Sequence, residues 1–187
     1  MIYLLLADGC EEIEALTPLD VLRRGGCEVK TVGITGKRVI GSHGIEIAAD
    51  ITPEEVKAPI DLLILPGGLP GSDNLDASPF VSRFIEQTIA DGGHLAAICA
   101  APYVLGKRGL LKGKRATCYP NERFVSQLLG ATVTKDPVVT DGNITTAIGM
   151  GAASAFAVRL LSLMKGEEVA KEVSHAAFLG CERFAEL

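Results

Sequence analysis

Two kinds of apolar segment alternate along this chain, and that alternation limits its fold more than any other feature. Ile2–Ala7 is an unbroken apolar run closed by Asp8-Gly9. Asp61–Leu65 is ended by Pro66-Gly67-Gly68, and His94–Ile98 runs directly into Cys99. A strand with one wet face alternates apolar and polar residues, so these segments read as strands buried on both faces. Between them the period becomes helical. Ile13, Leu16, Leu19 (or Asp20) and Leu22 recur at helical spacing before the stop at Gly25-Gly26. Further helices are predicted over Phe80–Ala90, Ala101–Lys107, Asn121–Leu129, Ala152–Met164 and Glu167–Val173, with Pro102 tolerated in a first turn. Glu28–Ile34 and Arg115–Cys118 read as strands, and Ile40–Ala48 as a short antiparallel addition. Asp141-Gly142-Asn143, between Val138–Thr140 and Ile144–Ala147, signals a hairpin. Strand–helix alternation of this kind specifies an α/β protein with a mostly parallel sheet covered on both faces. Ligands of such sheets bind beyond the carboxyl ends of the strands.

At 187 residues, without linker or repeat, the chain suits one domain over residues 1–187. Its 48% hydrophobic content excludes a disordered chain. Lys+Arg 18 against Asp+Glu 23 leaves a net charge of −5 with no basic run. That offers no electrostatic footprint for nucleic acid or an anionic membrane. Five cysteines (Cys10, Cys27, Cys99, Cys118 and Cys181) leave at least one thiol unpaired within the chain. No Cys-x-x-Cys or His-Glu-x-x-His is present in the sequence, so no metal is expected. The apolar start has no positive flank, and no apolar run approaches the roughly 20 residues of a membrane span. A reducing, cytoplasmic setting is the expectation.

Chemistry is therefore sought just after the buried strands. Cys99, between a strand and a helix, sits where a tight turn would present its sulfur at a helix N-terminus. The helix dipole and free N–H groups there would lower the thiol pKa. This is the logic of a nucleophile elbow, with Ala97 and Ala101 in place of glycines. Position alone is equally compatible with a small buried hydrophobe. Gly67-Gly68 can aim N–H groups at a neighbouring anion, or can simply make a tight turn. Glu11 and Glu12 read as helix N-terminal capping residues. Glu14, beside Ile13 and Ala15, would be partly desolvated and pushed toward the neutral acid. Cys118 reads as a packed small residue, and His43 and His94 as surface or turn residues.

Glu11-Glu-Ile-Glu-Ala15, Leu65-Pro-Gly-Gly68, Ala96-Ala-Ile-Cys-Ala-Ala-Pro102, Thr117-Cys-Tyr-Pro120 and Gly149-Met-Gly151, taken together in this order, resemble the DJ-1/ThiJ/YajL branch of the DJ-1/PfpI superfamily. The resemblance covers essentially the whole chain. It implies a flavodoxin-like three-layer sandwich, usually homodimeric. It also implies a reactive Cys99, a protonated Glu14 touching its sulfur, backbone donors at Gly68 and Ala100, and Gly67, Tyr119 and Pro120 lining or orienting substrate. The chain departs from the pattern at Tyr119, where many relatives carry His before Pro. Further departures are Ile148, where a basic residue is common, and His43, where several relatives have Arg; Arg24 matches.

Neighbouring chemistries fail locally. A PfpI-type peptidase needs His after the nucleophilic cysteine, and here Ala100 follows. A glutamine amidotransferase needs His with Glu two residues on, but Ala176 and Ala177 follow His175. Gly109–Lys114 and the Gly149 loop lack the spacing of phosphate and dinucleotide loops. The resemblance thus implies a cofactor-independent cysteine enzyme converting 2-oxoaldehydes to 2-hydroxy acids, in the manner of glyoxalase III and with deglycase activity as a relative. The alternative it implies is a redox sensor or stress chaperone working through oxidation of Cys99.

Overall fold

The computed structural model describes residues 1–179. Its strands are β1 (Ile2–Leu6), β2 (Val29–Gly33), β3 (Arg38–Ile40), β4 (Glu46–Ala48), β5 (Leu62–Leu65), β6 (His94–Ile98), β7 (Arg115–Ala116), β8 (Thr132–Val133), β9 (Val138–Asp141) and β10 (Ile144–Ala147). Its helices are α1 (Glu12–Arg24), α2 (Gly71–Ala77), α3 (Pro79–Ala90), α4 (Pro102–Lys107), α5 (Glu122–Val125), α6 (Ala153–Lys165) and α7 (Glu167–Ala176). Six strands form the main sheet in the order β2-β1-β5-β6-β10-β9, parallel except for the β9–β10 hairpin.

The apolar runs are explained by where alternate residues go. Tyr3, Leu5, Leu63, Leu65, Leu95 and Ala97 face one core, shared with Val81, Phe84 and Ile85 of α3 and with Tyr103–Leu105 of α4. Ile2, Leu4, Leu6, Leu62, Ile64, Ala96 and Ile98 face the other, against Ala15, Val21 and Leu22 of α1 and Phe156, Leu160 and Leu161 of α6. Both faces are dry, so both side-chain sets must be apolar. The result is a three-layer α/β sandwich with a mainly parallel sheet, as the sequence predicts. Among the described residues, no helix is long and apolar enough to cross a membrane.

Several local expectations need correction. Ile13 and Leu16, which share the helical spacing with Leu22, are exposed; Glu14, Ala15, Pro18, Val21 and Leu22 face inward instead. The helix expected over Asn121–Leu129 closes after Val125, capped by the Asn121 side chain accepting from the Arg123 N–H. Its continuation tightens into i→i+3 bonds at Gln127 and Leu128. α2 and β8 were not foreseen. Gly71, Ser72, Asp73 and Asn74 are poor helix formers, and burial of Leu75 holds α2 in place of propensity. Only Arg115–Ala116 of the strand expected to reach Cys118 pairs, with β8. His94 is a buried strand residue, with its ring Nε2 2.8 Å from the Thr145 hydroxyl. Burial, with Arg159 nearby, pushes its pKa down to about 4.

Candidate active site

At the carboxyl end of β6 the backbone turns sharply. Cys99 has φ 63°, a left-handed conformation in which a non-glycine residue is strained by its Cβ. The surroundings hold it there: the Cys99 N–H donates to Ala147 O of β10 at 2.9 Å, and its carbonyl accepts the Tyr119 N–H at 2.8 Å. The turn lifts the sulfur off the sheet, leaving Cys99 half-buried while Cys10, Cys27 and Cys118 are buried. Cys181 lies outside the described residues.

Glu14 approaches from the first turn of α1 and is fully buried. Its Oε2 accepts the Gly67 N–H at 3.0 Å, while Oε1 is buried without a hydrogen-bond partner. Only glycine fits at 67: a Cβ there would stand 2.5 Å from Glu14 Oε2 and 2.7 Å from Cys99 Cβ. Burial pushes the carboxyl up to about 7, against the lowering effects of its contacts with the Cys99 thiol and the Gly67 N–H. A carboxyl in that range exchanges protons near neutrality.

The thiol departs from expectation. Burial first, then the neighbouring Glu14 carboxylate, push Cys99 up to about 12; the Gly68 and Ala100 N–H groups act in the opposite sense. The stabilisation expected from a helix end is outweighed by that burial and by Glu14; α4 begins only at Pro102 and is six residues long. Burial disfavours both anions, and Glu14 further disfavours the thiolate whereas the thiol favours the carboxylate, so the sulfur is a resting thiol with a carboxyl beside it.

The structure therefore brings Cys99, Glu14, Gly67, Gly68 and Ala100 together. Tyr119, exposed, stands at the mouth with its ring edge toward Phe124, 6.4 Å between centroids. Pro120, also exposed, enters only as its chain neighbour. Gly149, which sequence reasoning left out of the site, closes the other side. A Cβ built on it would lie 3.9 Å from Cys99 Sγ and 3.7 Å from Tyr119 Cδ2. Its signal was available, because Gly149 lies just beyond the carboxyl end of β10, the strand paired to β6.

Glu11 and Glu12 do not cap α1 with their side chains. They fasten the β3–β4 turn: Glu12 accepts the His43 N–H at 2.8 Å and lies 3.0 Å from its ring Nδ1, and Glu11 accepts the Ser42 hydroxyl at 3.1 Å. Burial would raise Glu12, but the His43 ring and backbone hold it down to about 2. Glu11, Glu12 and His43 could converge on a metal ion, though the Glu12 carboxylate and the His43 ring already satisfy each other. A groove of about 550 Å³ along α6, lined by Ser154, Val158, Arg159 and Ser174, includes neither Cys99 nor Glu14.

Comparison with known proteins bears on this geometry. Residues 1–163 match the DJ-1/PfpI family. The chain is 39% identical over 173 residues to Protein DJ-1 homolog B of Arabidopsis thaliana, covering 90% of this chain but 39% of that longer protein. It is 32% identical over 168 residues to the glutathione-independent glyoxalase DJR-1.2 of Caenorhabditis elegans, covering 89% of each. The crystal structure of Drosophila melanogaster DJ-1beta superposes with a TM-score of 0.90 at 36% identity, over 96% of this chain and 97% of that one.

Proposed function

This chain belongs to the DJ-1/PfpI family, and we propose that it is a cofactor-independent cysteine enzyme that converts 2-oxoaldehydes to 2-hydroxy acids. One observation carries the reading: a fully buried carboxyl, pushed up to about 7, lies against the thiol of a cysteine held in a left-handed turn. The glyoxalase name of the Caenorhabditis elegans relative supports it.

In this mechanism Glu14, as carboxylate, takes the Cys99 proton while sulfur bonds to the aldehyde carbon. The carbonyl π pair moves onto oxygen, stabilised by the Gly68 and Ala100 N–H groups, and that oxygen then receives the proton from Glu14. Glu14 next removes the hydrogen left on the former aldehyde carbon and returns a proton at the neighbouring ketone carbon. The hydroxyl hydrogen on the first carbon passes to the ketone oxygen, so the ketone becomes an alcohol and the first carbon a thioester. Water cleaves the thioester, releasing the 2-hydroxy acid and the thiol. The net change is addition of one water; one carbon is oxidised as its neighbour is reduced, so no external oxidant is needed. The chemistry requires a reduced thiol, as a cytoplasmic setting would maintain. The exposed Ile13 and Leu16 on α1 support a homodimer built on that face.

The test is lactate formation from methylglyoxal by the reduced protein. Cys99→Ala should abolish it, and Tyr119→Phe should cost far less than Glu14→Gln. No lactate from the wild-type chain with Cys99 intact would remove the proposal. It would favour a redox role, for which the half-exposed Cys99 beside two N–H donors and a protonatable acid is also suited.

A further inference from the structure

Three glycines surround the Cys99 sulfur, and two are required by the fold. Gly67 has no room for a Cβ, and Gly68, at φ +88°, has its Cβ position 2.4 Å from Glu11 N. Gly149 differs. Its φ of 160° and ψ of −173° are extended backbone that any residue adopts. Its Cβ position is 3.7 Å from Tyr119 Cδ2 and 3.9 Å from Cys99 Sγ, ordinary van der Waals distances. Neither backbone strain nor a clash accounts for glycine here. What glycine does is leave the space between sulfur and tyrosine ring unfilled, beside the atom that attacks.

We propose that Gly149 is the size-selecting residue of this site: the gap it leaves between Cys99 Sγ and the Tyr119 ring receives the alkyl or aryl group on the ketone carbon of a 2-oxoaldehyde. This rests on the aldehyde reading above for its substrate class, but the gap itself does not. Once sulfur bonds to the aldehyde carbon, the ketone carbon is two bonds from Sγ, so its substituent must occupy space directly beside the sulfur. The gap is walled on one side by an aromatic ring, which favours an apolar substituent over a charged one. A methyl group more or less in such a pocket is worth roughly 10- to 200-fold in discrimination.

The experiment pairs two substrates with two thiol probes. For wild type, Gly149→Ala and Gly149→Val, kcat/KM is measured with phenylglyoxal and with glyoxal. Labelling rates at Cys99 are measured with N-phenylmaleimide and with iodoacetamide. Gly149→Ala should lower the phenylglyoxal-to-glyoxal ratio roughly 10- to 200-fold, Gly149→Val should lower it further, and the bulky-to-small labelling ratio should fall with it. Tyr119→Ala, which widens the gap from the other side, should raise both ratios and keeps the proposal testable if the position-149 variants fold poorly. Labelling ratios unchanged in all three variants overturn the gap. A fallen labelling ratio with an unchanged substrate ratio overturns size selection. A fallen labelling ratio where wild type turns over neither aldehyde keeps the gap and removes the aldehyde reading alone.

Discussion

Glu14→Gln should be a less active and more stable protein, with a gain that depends on pH in a direction the structure dictates. Burial raises the carboxyl from an ordinary 4.5 to about 7. A raised acid contributes stability that is fully present below 4.5 and is lost as pH rises through 7, because above that the fold must hold a buried anion. The difference corresponds to about 3 kcal/mol between the two limits, of which about 2 to 3 kcal/mol is expressed between pH 5 and pH 8. Glutamine keeps the shape, accepts the Gly67 N–H through its carbonyl oxygen and carries no charge at any pH. The stability gap between variant and wild type should therefore widen by that amount from pH 5 to pH 8. For a domain of this size the midpoint difference should move by roughly 5–10 °C. Urea and thermal unfolding under reducing conditions at one protein concentration, at both pH values, measure the free-energy gap and the midpoint shift. Over the same change, loss of the proton shuttle should lower 2-oxoaldehyde turnover roughly 10²- to 10⁴-fold. Parallel stability curves across that pH range would mean the carboxyl titrates like an exposed one. Retained turnover would mean that another group moves the proton.

Four further outcomes follow from the geometry. Cys99 should take up one equivalent of iodoacetamide ahead of the other thiols, since Cys10, Cys27 and Cys118 are buried; mass spectrometry finding Cys10 or Cys181 labelled first would contradict this. Gly67→Ala, whose methyl would stand 2.5 Å from Glu14 Oε2, should destabilise the fold by about 1–3 kcal/mol and slow Cys99 alkylation; a variant as stable and reactive as wild type would refute that close packing. His94, held by burial at about 4, contributes stability present above 6.5 and lost as pH falls toward 4; His94→Gln should remove about 2–3 kcal/mol of acid sensitivity between pH 6.5 and 4.5 in urea titrations, and an unchanged acid limb would show that His94 titrates normally. Sedimentation at micromolar concentration should give a dimer that Leu16→Glu dissociates; a monomeric wild type would count against the α1 face.

The sheet was legible in the sequence because its signal is local. Unbroken runs such as Ile2–Ala7 arise only where both faces of a strand are dry, and the two core clusters divide those residues alternately. The face of α1 was not legible by the same rule. Periodicity marks apolar residues without saying what covers them, so Ile13 and Leu16 stand in the helical pattern with Leu22 although they are exposed and Glu14 faces inward. α2 was invisible because Gly71, Ser72, Asp73 and Asn74 have little helix propensity; buried Leu75 holds it, a tertiary cause.

The candidate site divides along the same line. Where Cys99 sits was readable from strand, cysteine and helix in succession; its state was not. A helix N-terminus beside a cysteine argues for a stabilised thiolate, and some stabilisation of the anion exists, from the Gly68 and Ala100 N–H groups rather than from the helix. It loses to desolvation and to a carboxyl eighty-five positions away in the chain, neither of which a sequence window contains. That reversal changes the chemistry. In the addition step a standing thiolate would need Glu14 only as an acid. A resting thiol needs Glu14 first as a base, so addition of sulfur to a carbonyl should accelerate as pH rises through about 7, where the carboxylate becomes available. The same carboxyl must then hold a proton to deliver it to carbon, and that step weakens as pH rises further. A single group serving both steps operates best near its own pKa, so the burial that makes Glu14 costly to the fold also keeps it useful at neutral pH.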